Sequence, residues 1–384
     1  MKPVGFAIIG AGGIAQSQHL PNLSRADGVA LRTICDRDAA TLAKAVAAYP
    51  GARGEADFQQ VLKDPEIEAV LIATRPESHV PLTLAALAAG KHVYVEKPLA
   101  ETEAECRSVV EAQKKSGKRV AIGMNRRLAP AYVAARDLMW RHGGPMNLGY
   151  RICDSYSLNW GLQYGAGNRI VHELCHIFDI LRFFTKSEVT RVHCVSSRPD
   201  DESLTLVFAS GCIATIQSSG YATVDYPKER LDAICGQGAL CVEEFAELVT
   251  YGLDDEERRR TFRGRYHPAF DVTGAELVKS GGSALVQELR RAVYEATREE
   301  AQLAADGAKG TRAWKERDLF IRQKAPNVNY LVNKGWIEAV EDFAACIRSG
   351  KEPGSPNAED GLAATRITQA AMKSRERGGE GVAL

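Results

Sequence analysis

The chain has 384 residues, 45% of them hydrophobic and 26% charged, with 49 basic side chains balanced by 49 acidic ones. That length calls for two domains, and the composition excludes a disordered chain. Zero formal charge argues against a nucleic-acid partner held by bulk charge, and no apolar run reaches the roughly 18 residues a membrane span needs.

Gly5-Phe6-Ala7-Ile8-Ile9 is a continuous apolar run and reads as a first strand buried on both faces. It starts so early that no secretory leader is expected ahead of it. The turn after it, Gly10-Ala11-Gly12-Gly13-Ile14-Ala15, has the G-x-G-x-x-G/A spacing of a dinucleotide-binding turn. Gly10 permits the tight turn, Gly12 admits a pyrophosphate, and Ala15 allows close helix–strand packing. A second apolar run, Val29 to Cys35, ends at Asp36, 21 residues after Ala15. A carboxylate there accepts hydrogen bonds from the adenosine ribose and repels a 2′-phosphate, which favours NAD over NADP. Arg37, next in line, is the competing feature, since a guanidinium can hold a phosphate.

Alternation continues with a strand at Ala69 to Ala73, a helix at Ser78 to Ala89, a strand at His92 to Val95, a helix at Glu101 to Ser116 and a strand at Arg119 to Ile122. This order predicts a doubly wound parallel sheet. Ligands of such sheets lie at the carboxyl ends of the strands. Those ends carry Gly10 to Gly13, Asp36, Thr74-Arg75-Pro76, Glu96-Lys97-Pro98 and Met124-Asn125. Later segments are short, β-rich and turn-punctuated: Asn147 to Ile152, Glu188 to Ser196, Ser203 to Phe208, Ile213 to Ser218, Leu231 to Cys235 and Ala239 to Val242. Residues 254–328 are charged and helical in composition, and are expected to form an inserted, solvated helical hairpin (Ser283 to Asp306, then Thr311 to Lys324). The domains expected are 1–123 and 124–384.

Four motifs occur in order: Gly10-x-Gly12-x-x-Ala15, Ala73-Thr74-Arg75-Pro76-x-x-His79, Gly90-Lys91-His92-Val93-Tyr94-Val95-Glu96-Lys97-Pro98, and Gly123-Met124-Asn125-Arg126-Arg127. Together they resemble the glucose–fructose oxidoreductase/inositol dehydrogenase family (Gfo/Idh/MocA). The resemblance is close over the first third of the chain. It implies an α/β fold: an N-terminal Rossmann domain, then an α+β domain with a large, open, mainly antiparallel sheet. It also implies a cofactor, NAD, held along Gly10, Gly12, Gly13, Ile14, Asp36, Arg37, Thr74, Arg75, Pro76, His79, Glu96, Lys97 and Asn125.

Lys97 is the first candidate catalytic residue. A lysine there can donate to a substrate hydroxyl and stabilise developing alkoxide charge. The second group lies in Asn168 to Asp179, whose apolar positions (170, 171, 174, 177, 178) predict a largely buried helix. His172 and His176 are four residues apart and would share a face, with Asp179 nearly on the same side. The family usually reads D-x-G-x-H-x-x-D here. His176 and Asp179 match that pattern, while His172 replaces the first Asp and brings no fixed negative charge. Residues 172 to 176 also spell the zinc-protease string H-E-x-x-H. The position where a third ligand would follow is Arg182, so no metal is expected. Tyr156, Trp160 and Tyr164 lie in or beside an aromatic loop whose rings can stack on a sugar, Asp179 is a further candidate substrate contact, and Arg127, Arg151 and Arg169 could meet an anionic group.

The leading reading is an NAD-dependent dehydrogenase of a sugar or cyclitol. In it His176 is the general base, its ordinary pKa near ~6.5 suiting the task, Lys97 polarises the carbinol oxygen and His172 orients the substrate. One alternative is an NAD-dependent glycosidase that oxidises, eliminates, hydrates and re-reduces, with the extra acid/base group His172 as its motive. Another is a cofactor-binding protein that has lost catalysis. Partners expected are a small carbohydrate and further copies of the chain, as a dimer or tetramer, with no nucleic acid or membrane. The nine cysteines form no C-x-x-C pair and sit mostly in apolar runs, so a reducing cytoplasm is the expected location.

Overall fold

The computed structural model describes residues 2–156, 165–264 and 272–384. The chain forms two compact units. The first comprises Met1–Ala129, Val171–Ile180 and Gly335–Gln369; the second comprises Pro130–Ile170, Leu181–Lys334 and Ala370–Leu384. The first unit thus reaches well beyond residue 123, because two later segments pack into it.

Its sheet has six strands: β1 (Val4–Ile9), β2 (Val29–Cys35), β3 (Arg53–Glu55), β4 (Ala69–Ile72), β5 (His92–Val95) and β6 (Val120–Ile122). Every pairing is parallel and the order is β3-β2-β1-β4-β5-β6. This is the doubly wound arrangement read from the alternation. All six residues of β1 are buried, because the strand lies between β2 and β4 with both faces covered. The helix Glu103–Ser116 is bounded by side-chain chemistry: Thr102 accepts the Glu105 N–H at its start, and Gly117, at φ 65°, closes it. The helix Trp336–Ser349 comes from the far end of the chain, yet Ala339, Val340, Phe343 and Ala344 join the core cluster built on Phe6 and Ile8. Phe343 meets Phe6 and Tyr94 edge-on at 6.3 and 6.0 Å.

The second unit holds nine strands: β7 (Met146–Cys153), β8 (Val189–Arg198), β9 (Asp201–Phe208), β10 (Ile213–Ser219), β11 (Glu229–Cys235), β12 (Gly238–Glu243), β13 (Glu247–Tyr251), β14 (Arg259–Thr261) and β15 (Val382–Ala383). Their order is β14-β13-β12-β11-β7-β10-β9-β8-β15, antiparallel except for the parallel β7–β10 pair. Burial alternates along β9 to β12, so one face is covered and the other open. On the covered side Tyr132 bonds the Tyr150 hydroxyl (2.8 Å), Tyr150 donates to Glu229 (2.9 Å) and Lys334 donates to Glu229 (2.8 Å). The open face carries exposed Val195, Ile213, Ile234 and Tyr251. It also holds a broad depression of about 820 Å³, lined among others by Arg151, His193, Thr205, Gln217 and Asp232.

The 254–328 region holds the pair of helices expected of it, and differs in their extent and burial. Its first part contains β14, and its helices run Val272–Ala305, kinked at Gly282, and Arg312–Leu331. The first helix is not solvated all round. Val278, Val286 and Val293 are buried, and buried Arg290 donates to Glu244 at 2.7 Å. Among the described residues no helix is long and apolar enough to cross a membrane.

Candidate functional site

The glycine-rich turn follows β1 directly. Gly10 adopts φ 92°, and a Cβ there would lie 2.8 Å from the Ala73 carbonyl oxygen, so a side chain is excluded on both counts. At Gly12 and Gly13 an added Cβ would meet nothing within 4 Å, which leaves an open backbone cradle. Ile14 is half-buried beside it and Ala15 is buried. Asp36 ends β2 with its carboxylate turned to this cradle: one oxygen accepts the Ala11 N–H at 2.7 Å and the other accepts the Asp38 N–H at 2.9 Å. The half-buried carboxylate therefore braces the turn and retains lone pairs for ribose hydroxyls. Arg37 is exposed. This donor and acceptor set fits a dinucleotide: backbone approach at Gly12 and Gly13, and a carboxylate at the strand end.

Beyond β4, Thr74 and Pro76 are half-buried and Arg75 is exposed. His79 is buried, with Nδ1 2.7 Å from the Pro98 carbonyl and Nε2 3.3 Å from that of Thr74. It ties two loops together from inside, and burial lowers its pKa. Asn125, also buried, opens the turn Asn125–Leu128.

Lys97 stands at the end of β5, half-exposed, and the Lys97–Pro98 peptide is cis. Its ammonium donates to the backbone carbonyl of His172 at 2.6 Å. Glu96 is engaged within the protein. Its carboxylate is buried, one oxygen lying 2.7 Å from His19 Nε2 and the other accepting the Lys97 N–H at 3.1 Å. Burial alone would raise its pKa, but the His19 hydrogen bond and charge, with Lys97, hold it below the usual carboxylate value.

The predicted single helix through Asn168 to Asp179 is two helices, Arg169–His172 and Cys175–Thr185, broken at Glu173–Leu174. His172 and His176 therefore sit on different helices rather than one turn apart on a single one. Among the described residues no group of three or more His, Cys, Asp or Glu side chains is arranged to hold a metal. Both imidazoles are buried. Burial, and then the Lys97 charge, press the His172 pKa down to about 4, so this imidazole is neutral near pH 7. Lys97 thus has the His172 main-chain carbonyl as a partner, on a residue whose ring carries no charge near pH 7.

Asp179 is engaged by the protein itself. It is fully buried, and Arg127 grips both its oxygens, Nε at 2.8 Å and Nη2 at 2.5 Å. Arg127 also meets Asp360 at 2.9 Å. Burial works against the guanidinium's charge, but these two carboxylates outweigh it and raise its pKa. Arg151 is likewise engaged, with Glu243 at 2.8 Å, and buried Arg169 with Asp154 at 2.6 Å and Ser218 at 2.9 Å. All three arginines thus have protein carboxylates as partners. Tyr156 is buried with its ring 5.4 Å from the Arg169 guanidinium, while Trp160 and Tyr164 lie outside the described residues. The sequence reading missed His19 and the Arg127–Asp179–Asp360 cluster. Only the long-range pairings reveal them.

Residues 4–124 match the model of an oxidoreductase family with an NAD-binding Rossmann fold. Over 376 residues the chain is 27% identical to an inositol 2-dehydrogenase of Salmonella paratyphi B, covering 97% of this chain and 94% of the relative. In fold it is similar to the scyllo-inositol dehydrogenase of Lactobacillus casei, solved with bound NAD(H) and scyllo-inositol. That match has a TM-score of 0.70 at 16% identity and covers 100% of this chain and 99% of the other. An oxidoreductase from Kribbella flavida superposes with a TM-score of 0.74 at 20% identity, covering 100% and 99% of the two chains.

Proposed function

We propose that the chain, whose residues 4–124 match the NAD-binding domain of the Gfo/Idh/MocA oxidoreductases, uses NAD to oxidise a secondary hydroxyl of a sugar or cyclitol. The observation that carries the proposal is the meeting of Lys97, at the end of β5, with the His172–His176 segment, anchored by the 2.6 Å bond from Lys97 to the His172 carbonyl.

NAD, when bound, supplies the hydride acceptor. The chain's own residues do the rest. Gly12 and Gly13 let the backbone approach the pyrophosphate, and Asp36 takes the ribose hydroxyls. Lys97 uses a remaining N–H to donate to the carbinol oxygen and offsets the alkoxide charge as the proton leaves. His176 receives that proton as general base. His172, neutral, orients a neighbouring hydroxyl without adding charge.

Wild-type protein incubated with NAD and a panel of polyols and aldoses should form NADH in proportion to substrate oxidised. Lys97→Ala should lose about 100-fold or more in turnover while NAD still binds. Equal turnover in the variant would sink the assignment. An aryl glycoside in the same panel separates the glycosidase route, which would release aglycone with no net NADH. A dimer or tetramer formed through the open face of β7–β13 belongs to the same proposal, supported by the exposed apolar side chains there.

A further inference from the structure

We propose that Glu96 and His19 form a buried positioning pair that fixes the Lys97 backbone relative to the glycine-rich turn; the inference rests on the reading of Lys97 as the group that meets the substrate oxygen. Glu96 sits just past the end of β5, beside the end of β6 and the helical turn that His19 closes. One carboxylate oxygen meets His19 Nε2 at 2.7 Å, and the other accepts the N–H of Lys97 itself at 3.1 Å. The third neighbour is Gly123, just past β6. A Cβ there would lie 2.8 Å from Glu96 Oε1, so glycine is what lets the carboxylate enter.

His19 closes the π-helical turn Ala15–His19 that follows the cofactor cradle, so the pair joins the two parts of the site through one carboxylate. The imidazole is held edge-on between Trp336 (5.3 Å) and Tyr94 (6.1 Å), which fixes its plane. A buried carboxylate with both oxygens engaged has little freedom to shift. Displacement of the glycine-rich segment is therefore passed to the peptide that carries Lys97. The arrangement assigns Glu96 a task other than contacting the cofactor, since its carboxylate is buried between His19, Lys97 and Gly123.

Three variants test the pair: His19→Ala, His19→Gln, whose amide can still donate to Glu96, and the near-isosteric Glu96→Gln. The first readout needs no cofactor. Limited acylation followed by mass spectrometry gives the labelling rate of Lys97 relative to exposed Lys63. In His19→Ala and Glu96→Gln that ratio should change by about threefold or more, the weight of one lost hydrogen bond, while His19→Gln stays near wild type. The second readout is kinetic. Both disruptive variants should lose about 10–100-fold in kcat, the usual consequence of a small misplacement, with KM and NAD affinity within about threefold, and His19→Gln should recover most of the loss. An unchanged labelling ratio overturns the proposal. So does a kcat loss matched by an equal loss of NAD affinity, which would make Glu96 a cofactor ligand after all. If His19→Ala does not fold, the two shape-conserving variants decide alone. If wild type oxidises no hydroxyl while the labelling ratio moves as expected, the pair stands and the reading of Lys97 chemistry fails.

Discussion

Asp179→Asn is the perturbation that most cleanly separates a structural carboxylate from a substrate ligand. The substitution keeps the shape and removes the charge. It also turns one of the two atoms facing Arg127 from acceptor to donor, where Nε and Nη2 now sit 2.8 and 2.5 Å away. One charge-assisted hydrogen bond is lost, about 1.5–3 kcal/mol, and a buried donor is left facing another donor, about 1–3 kcal/mol more. Breaking a buried pair from one side costs about 3–5 kcal/mol. Asp360, 2.9 Å from the same guanidinium, still neutralises part of its charge. The expected loss is therefore near the lower end, about 3 kcal/mol, or ~6–12 °C in apparent Tm at ~2–4 °C per kcal/mol. Thermal melts of the NAD-free protein read it, and steady-state kinetics on the folded fraction should show substrate KM within about twofold of wild type. A Tm shift under about 2 °C, together with a tenfold or larger rise in KM, would refute the reasoning and return Asp179 to the substrate site.

Three further outcomes follow from particular residues. Asp36→Ala should weaken NAD binding by about 10–100-fold, since the ribose loses a charged acceptor worth about 1.5–3 kcal/mol and the Ala11 N–H loses its brace. NADP should lose less and so gain relatively; titrations showing both affinities unchanged would refute this. Glu202 is buried in the second unit beside Arg375, 3.2 Å away, and burial pushes its pKa from 4.5 up to about 7 against that charge. A raised folded-state pKa contributes stability below about 4.5 that is lost as pH rises through about 7. Glu202→Gln should therefore raise the urea midpoint near pH 8 and not near pH 5, and an equal shift at both would contradict the assignment. Light scattering across working concentrations should give a dimer or tetramer, and a monomer throughout would remove the proposed pairing of the open sheet face.

Much of the fold is written locally. β1, β4 and β5 are continuous apolar runs, as strands buried on both faces must be, and the half-buried strands β9 to β12 alternate. Strands β13, β14 and β15 were not legible, being short and bounded by charged residues or, for β15, only two residues long. The position of Trp336–Ser349 on the first sheet could not be read either, because periodicity gives a helix its apolar face and not the partner of that face. The site divides the same way. Motifs contiguous in sequence located Lys97 and the glycine-rich turn. The break at Glu173–Leu174 was hidden because the apolar positions run through both helices in one unbroken rhythm. Pairings across 77 residues (His19 with Glu96) and 52 residues (Arg127 with Asp179) leave no spacing signal at all. Without them Glu96 and Asp179 look like ligand groups.

The most direct test of the central claim is NADH formation by purified wild-type and Lys97→Ala protein, supplied with NAD and inositols and aldoses in turn, with the oxidised product quantified beside it. The account predicts NADH and ketone in a one-to-one ratio for at least one secondary alcohol, with Lys97→Ala binding NAD normally and turning over about 100-fold slower or worse. NADH formation undiminished in Lys97→Ala would contradict it, as would a wild type that binds NAD and oxidises none of these alcohols.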